Sequence, residues 1–108
     1  MHRFIIFATL LGISTVITAG AAQKGDPAKG KEIVDTQCAI CHSTTTDETK
    51  MGPPLKGLFK RKSLKNGKPV NDANVLAQIN NGGNGMPAYS DQLTAQQKAD
   101  ILAYLHTL

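Results

Sequence analysis

Cys38-Ala39-Ile40-Cys41-His42 is the stretch on which the reading of this chain turns. It sets two thiols three positions apart and an imidazole directly after the second. A thiol–disulfide redox pair would need a low-pKa cysteine at a helix start within a βαβ pattern, and no strand-rich alternation surrounds this one. A structural zinc site needs four ligands. With the N-terminal leader described below set aside, the chain offers Cys38, Cys41, His42 and His106, and His42 is too close to Cys41 for easy tetrahedral geometry. A Cys38–Cys41 disulfide would close too short a loop to stabilise much. What C-x-x-C-H suits is attachment of a c-type haem: the thiols add to vinyl groups as thioethers, and the adjacent imidazole becomes an axial ligand.

The 108 residues suffice for one small domain. Met1-His2-Arg3, an apolar run from Phe4 to Ile17 and the small residues Ala19-Gly20-Ala21-Ala22 read as a secretory signal peptide. The run is shorter than the roughly 20 residues a membrane span needs. Residues 1–21 are therefore expected to be a leader, cleaved after Ala21 or Ala22, with a mature domain over residues 22–108. The expectation is export, in a bacterium to the periplasm, without a stable membrane anchor. Export agrees with the motif, because two cysteines spent on one cofactor leave no free thiol in an oxidising compartment.

Beyond the leader the aromatic residues are Phe59, Tyr89 and Tyr104, and the chain has no tryptophan. A domain this small, short of the aromatic bulk that fills cores, is marginal alone. A covalently held porphyrin would supply the volume, so the haem-free protein is expected to be largely unfolded. The formal net charge is +4, and half of the 12 lysines and arginines lie between Lys56 and Lys68: Lys56, Lys60, Arg61, Lys62, Lys65 and Lys68. An exported chain without a nucleic-acid motif is not expected to bind nucleic acid. The stretch is either a solvated loop or a docking surface for an acidic redox partner.

Local signals place three helices. Asp26 as N-cap with Pro27 at the first helical position predicts a helix to about Gln37 that delivers Cys38 at its end. Gly30 lies inside it, at a cost of about 1 kcal/mol relative to alanine, which close approach by another helix would explain. Ser43 to Lys50 reads as a loop. Met51-Gly52-Pro53-Pro54-Leu55 must be extended and stiff, and such a segment can present a backbone carbonyl to the His42 imidazole, with Leu55 pointing at the haem. Asn66-Gly67 marks a turn. Asn71 or Asp72 can cap a helix through about Ile79, with Val75, Leu76 and Ile79 apolar at helical spacing. Asn80 to Gly85 is a flexible glycine–asparagine loop, and an iron–sulfur bond to Met86 would give it a reason to be ordered. Thr94-Ala95-Gln96-Gln97 is a capping box. Ile101, Tyr104, Leu105 and Leu108 then form one apolar face, for which the Gly30 helix is the natural partner.

These residues together resemble a class I cytochrome c over the whole mature chain. Gly30 stands eight residues before Cys38, as in that family's N-terminal helix. Gly52 to Lys62 is similar to the family's segment after the haem motif, Asn84-Gly85-Met86-Pro87-Ala88-Tyr89 to the methionine loop of small bacterial members, and Ile101 to Leu105 to their C-terminal helix. The resemblance implies an all-α cytochrome c fold, three to four helices wrapped around one covalently attached haem c. It implies that Pro53 offers its carbonyl to His42 and that Arg61 faces a haem propionate. Two departures stand out: Val34 occupies a place where an aromatic often packs on the C-terminal helix, and the tryptophan some members use at a propionate is missing.

For the sixth iron ligand, Met51 sits beside the proline segment on the histidine side and would struggle to reach the other face, whereas Met86 follows a long loop. His/Met pairing is usual in cytochromes c. Met86 is the expected ligand; an open position and His106 are the alternatives, the latter already explained by its place near a helix C-terminus. With both axial positions filled, the expected function is one-electron, outer-sphere transfer between redox proteins, with no catalytic side chain. The alternatives are a dedicated haem subunit or partner of one periplasmic dehydrogenase, and an enzyme or gas sensor with an open iron site.

Overall fold

Asp26 turns the chain into its first helix. Its carboxylate accepts the backbone N–H of Ala28 (2.9 Å) and Lys29 (3.4 Å), and Pro27 follows at the first helical position. In the computed structural model, which describes residues 24–108, the order is α1 (Pro27–Gln37), a short 3-10 turn (Leu58–Lys60), α2 (Asp72–Asn81) and α3 (Ala95–Leu105). The predicted signal peptide lies outside the described residues. Among the described residues there is no strand, only isolated bridges between Ser63 and Pro69 and between Gly83 and Met86. The architecture is the expected all-α one.

The other two helices start where local chemistry predicts. Asn71 Oδ1 accepts the Asn74 N–H at 2.8 Å and caps α2, which runs to Asn81, slightly beyond the expected end at Ile79. Thr94 and Gln97 form the reciprocal capping box of α3: Gln97 N donates to Thr94 Oγ1 at 3.1 Å, and Thr94 N to Gln97 Oε1 at 2.9 Å.

The frame is α1 packed across α3. A Cβ placed on Gly30 would collide with the Asp100 carbonyl and come 2.9 Å from the Tyr104 Cβ, so the two backbones approach more closely than any side chain permits. Val34 (0% exposed) and Ile101 (2%) are the largest fully buried side chains. Val34 is thus wholly enclosed. Leu105, Leu58, Val75 and Leu93 complete the buried apolar set, with Tyr104 and Leu108 partly buried against it.

Two polar clusters tie elements together and are not visible in any local pattern. Asp100 is buried on α3, where its carboxylate accepts the Asp26 N–H at 2.7 Å and the Gln96 amide at 2.9 Å. The Asp26 N–H and then the Gln96 amide hold its pKa below the usual carboxylate value, outweighing burial, with a smaller contribution from Lys29. At the other end of α3, the His106 ring stacks on Phe59 (centroids 3.6 Å apart, 21° between planes), and its Nε2 meets Asp72 Oδ1 at 2.6 Å. His106 thereby joins the 3-10 turn, the start of α2 and the end of α3.

Candidate haem site

The attachment motif is a turn grown out of α1. Cys38 is the C-cap, its N–H bonded to the Val34 carbonyl at 2.9 Å. The N–H groups of Cys41 and His42 both return to the Cys38 carbonyl, at 3.1 and 3.0 Å. The two thiols are unbridged. Burial, and secondarily Cys41, push the Cys38 thiol pKa up. A redox-active C-x-x-C needs the opposite shift. Among the described residues no three His, Cys, Asp or Glu side chains gather as a metal site, so the zinc alternative finds no ligand set.

His42 is held by the segment that follows the loop. Gly52 N bonds to Cys41 O at 2.8 Å and Leu55 N to Ser43 O at 2.7 Å, laying residues 52–55 alongside 41–43. This brings the Pro53 carbonyl to 2.6 Å from His42 Nδ1. A carbonyl only accepts, so Nδ1 carries the proton, and Nε2 is the nitrogen left to ligate a metal. Gly52 is part of the same fit. A Cβ there would lie 2.7 Å from Nδ1 and 2.9 Å from Nε2 of His42, so the ring rests against bare backbone.

Met86 arrives by a different device. Asn84 (φ 52°) and Gly85 (φ 90°) occupy the centre of a tight turn closed by Gly83 N to Met86 O at 2.9 Å and Met86 N to Gly83 O at 3.1 Å. Two successive positive φ angles on Asn-Gly are the signature of a type I′ turn. The glycine–asparagine loop is thus closed by backbone hydrogen bonds of its own. Beyond it, Tyr89 N and Ser90 N return to the carbonyls of Ile79 and Asn80, binding the loop to the end of α2. The Met86 thioether sulfur receives the Gln78 amide N–H at 3.7 Å.

Cys38 and Met86 meet in one cleft of about 260 Å³, part of it open to solvent, whose other walls are Ile33, Gln37, Ile79, Tyr89, Leu93 and Ile101. An apolar lining that includes a thiol and a thioether suits a flat, largely apolar macrocycle. A neutral imidazole with Nε2 free and a thioether are the donor set that haem iron takes. The residues fit the group. His42, Pro53, Leu55 and Arg61 are not in the lining. Leu55 packs on the buried apolar set, and the Arg61 guanidinium donates to the Lys56 carbonyl at 2.6 Å. Among the described residues Met51 and Ile40 are the exposed large hydrophobics, 84% and 74% exposed, with Met51 Sδ 4.0 Å from Cys41 Sγ.

Sequence reasoning overlooked Gln78 and the reason for Gly52. A polar residue beside the Val75–Leu76–Ile79 stripe was a usable signal for the first. The second depends on the contact with His42, which only the fold shows.

Comparison with known proteins agrees with this geometry. Residues 25–105 match the family model described as "Cytochrome C oxidase, cbb3-type, subunit III". The chain is 32% identical to a cytochrome c2 of Rhodopila globiformis, over 82% of this chain and 99% of that protein. It is also 32% identical to a cytochrome c6 of Rippkaea orientalis, over 94% and 86% of the two chains. The crystal structure of cytochrome c6 from the diatom Phaeodactylum tricornutum superposes with a TM-score of 0.61 over 77% of this chain and 93% of that one; at 23% identity it speaks for the fold alone. A cleft between Cys38 and Met86, a braced imidazole and these relatives converge: the chain belongs to the c-type cytochrome family, as a class I member with one covalent haem c that transfers electrons between redox proteins.

Proposed function

We propose that the mature protein, residues 22–108, is an exported periplasmic electron carrier in a respiratory or oxidative chain. In this reading Cys38 and Cys41 would hold the haem through thioether bonds, and His42 and Met86 would ligate its iron. The observation that carries it is the 2.6 Å bond between His42 Nδ1 and the Pro53 carbonyl, which leaves Nε2 as the donor. When bound, the haem supplies a one-electron ferric–ferrous couple whose potential a methionine ligand raises. The side chains supply the rest. Pro53 fixes the tautomer and orientation of the imidazole, the type I′ turn fixes the approach of Met86, and Ile33, Ile79, Leu93 and Ile101 exclude water. With both axial positions taken no substrate reaches the iron, and the protein is not an enzyme. Leu55 and Arg61 act in the haem surroundings, Arg61 toward a propionate.

The Lys56–Lys68 stretch is the proposed docking surface for an acidic redox partner. Lys56, Lys60, Lys62, Lys65 and Lys68 are all exposed there. Among the described residues no helix is long and apolar enough to cross a membrane, which is compatible with a carrier released by signal cleavage. Absorption spectra of the oxidised and reduced holoprotein test the ligand set. The weak long-wavelength methionine–iron band should be present and should vanish in Met86→Ala. A wild-type ferrous protein that binds carbon monoxide readily at neutral pH would instead indicate an open site. The intact mass should place the mature N-terminus at Ala22 or Gln23, with one haem attached.

A further inference from the structure

A second cleft, of about 430 Å³ and partly open to solvent, shares no lining residue with the haem cleft. Asn66 and Lys68 reach it from the turn before α2, and Asn74, Gln78 and Asn81 from α2 itself. Its frame is fixed by backbone and side-chain bonds. Leu64 N donates to Lys68 O at 2.8 Å, Gly67 N to Leu64 O at 2.9 Å, and Asn74 Nδ2 to the Pro69 carbonyl at 2.9 Å, which joins α2 to the turn. Other bonds settle which polar ends remain. Asn66 Oδ1 accepts the Lys68 N–H at 3.0 Å, so its NH2 is the end left over. Gln78 Nε2 is spent on the Gly82 carbonyl and the Met86 sulfur. Lys68 and Asn81 are exposed, and Lys68 takes no part in the ion pairs among the described residues, Lys31–Asp35 and His106–Asp72. No carboxylate is in the lining. N–H donors with one positive charge repel a metal cation and suit an oxyanion, whereas a neutral polyol would use the amides and have no need of the lysine.

We propose that this cleft binds a small dissolved oxyanion, a carboxylate or phosphate group held by the Lys68 ammonium and the amides of Asn66 and Asn81. Gln78 and Ile79 are consecutive on α2 and line one cleft each, so charge placed in the second is felt in the first. A bound anion favours the ferric state and lowers the haem potential, and by linkage the ferric protein holds the anion more tightly. That consequence rests on the haem assignment; the binding does not.

The test titrates inorganic phosphate, at constant ionic strength and neutral pH, into the holoprotein as wild type, Lys68→Gln, Asn66→Asp and Lys29→Gln. Asn66→Asp keeps the acceptor for the Lys68 N–H but replaces the NH2 by a negative charge. Lys29 lies on α1, so Lys29→Gln removes the same charge away from the cleft. Two quantities are read, the backbone and side-chain amide resonances of the ferrous protein and the midpoint potential. Wild type and Lys29→Gln should show saturable shifts at Asn66, Lys68 and Asn81, and a potential that falls with phosphate. Lys68→Gln should bind about tenfold more weakly, the scale of one charge-assisted hydrogen bond, and Asn66→Asp more weakly still. The proposal is overturned if the shifts are absent, never saturate, spread over the exposed lysines, or keep their affinity in Lys68→Gln. It is overturned equally if phosphate moves nothing while Lys68→Gln alters the haem-propionate resonances, because the cofactor's own carboxylate would then fill the cleft. Saturation without a fall in potential overturns the linkage to the haem. Failure of the haem assignment itself would show in the absorption spectrum before any phosphate is added.

Discussion

At the scale of single residues, the site depends on places where an atom is missing as much as on donors. Gly52 is the clearest case. Its lack of a Cβ lets the imidazole of His42 lie against the backbone while Nδ1 reaches the Pro53 carbonyl. Gly52→Ala should push the ring away from that carbonyl, lowering the yield of holoprotein and weakening the histidine–iron bond. The check is the haem-to-protein ratio after expression, with Gly67→Ala as a comparison that strains the backbone (φ 83°) but meets no neighbouring atom. Equal haem content in Gly52→Ala and wild type would remove the steric argument. The attachment motif and the Pro53 carbonyl beside His42 were legible beforehand because they lie in short patterns or match a family's segments. The requirement at Gly52 was not, since it arises from a ring ten positions away in sequence.

Helix starts and stops were readable because caps are local: Asp26, Asn71 and Thr94 each satisfy N–H groups two or three residues ahead. The joints between elements were not. The Asp26–Asp100 bond spans 74 positions and the His106–Asp72 contact 34, and neither leaves a periodic trace. Two predictions belong to the α1–α3 joint. Gly30→Ala would force apart backbones that already touch, so the gain in helix propensity is outweighed by overpacking of about 1–3 kcal/mol. A lowered urea midpoint at unchanged m-value reports it. Asp100 gives a pH signature. Its folded pKa lies below the ordinary carboxylate value, so its contribution is complete above that value and lost as pH falls through the folded one. Asp100→Asn should therefore be less stable than wild type at pH 7, and the gap should narrow as both are taken below about pH 4, near the unfolded pKa. A gap that stays constant with pH would mean the bonds to Asp26 and Gln96 do not depend on the charge.

For the whole molecule, the decisive fact is how little the polypeptide encloses by itself. Among the described residues the buried apolar side chains are Val34, Leu58, Val75, Leu93, Ile101 and Leu105, and no aromatic side chain is among them. Phe59 is tied up at the surface with His106, and Tyr89 and Tyr104 are only partly covered. Domains of this size ordinarily need a staple, because ordering the backbone costs roughly as much as a small core returns. The cleft between Cys38 and Met86 is where that staple belongs, since its walls Ile33, Ile79, Leu93 and Ile101 come from α1, α2, the connection before α3, and α3. A ligand there touches every helix at once, which the sparse contact of α2 with the α1–α3 frame makes necessary. The haem-free chain, obtained with Cys38→Ser and Cys41→Ser and no leader, should show weak helical circular dichroism and no cooperative urea transition. The holoprotein should unfold in one step with the haem absorbance and the helical signal changing together. A haem-free chain that retains a sharp, native-like transition would show that α1 and α3 hold the fold unaided, and would reduce the haem from a part of the core to a passenger in it.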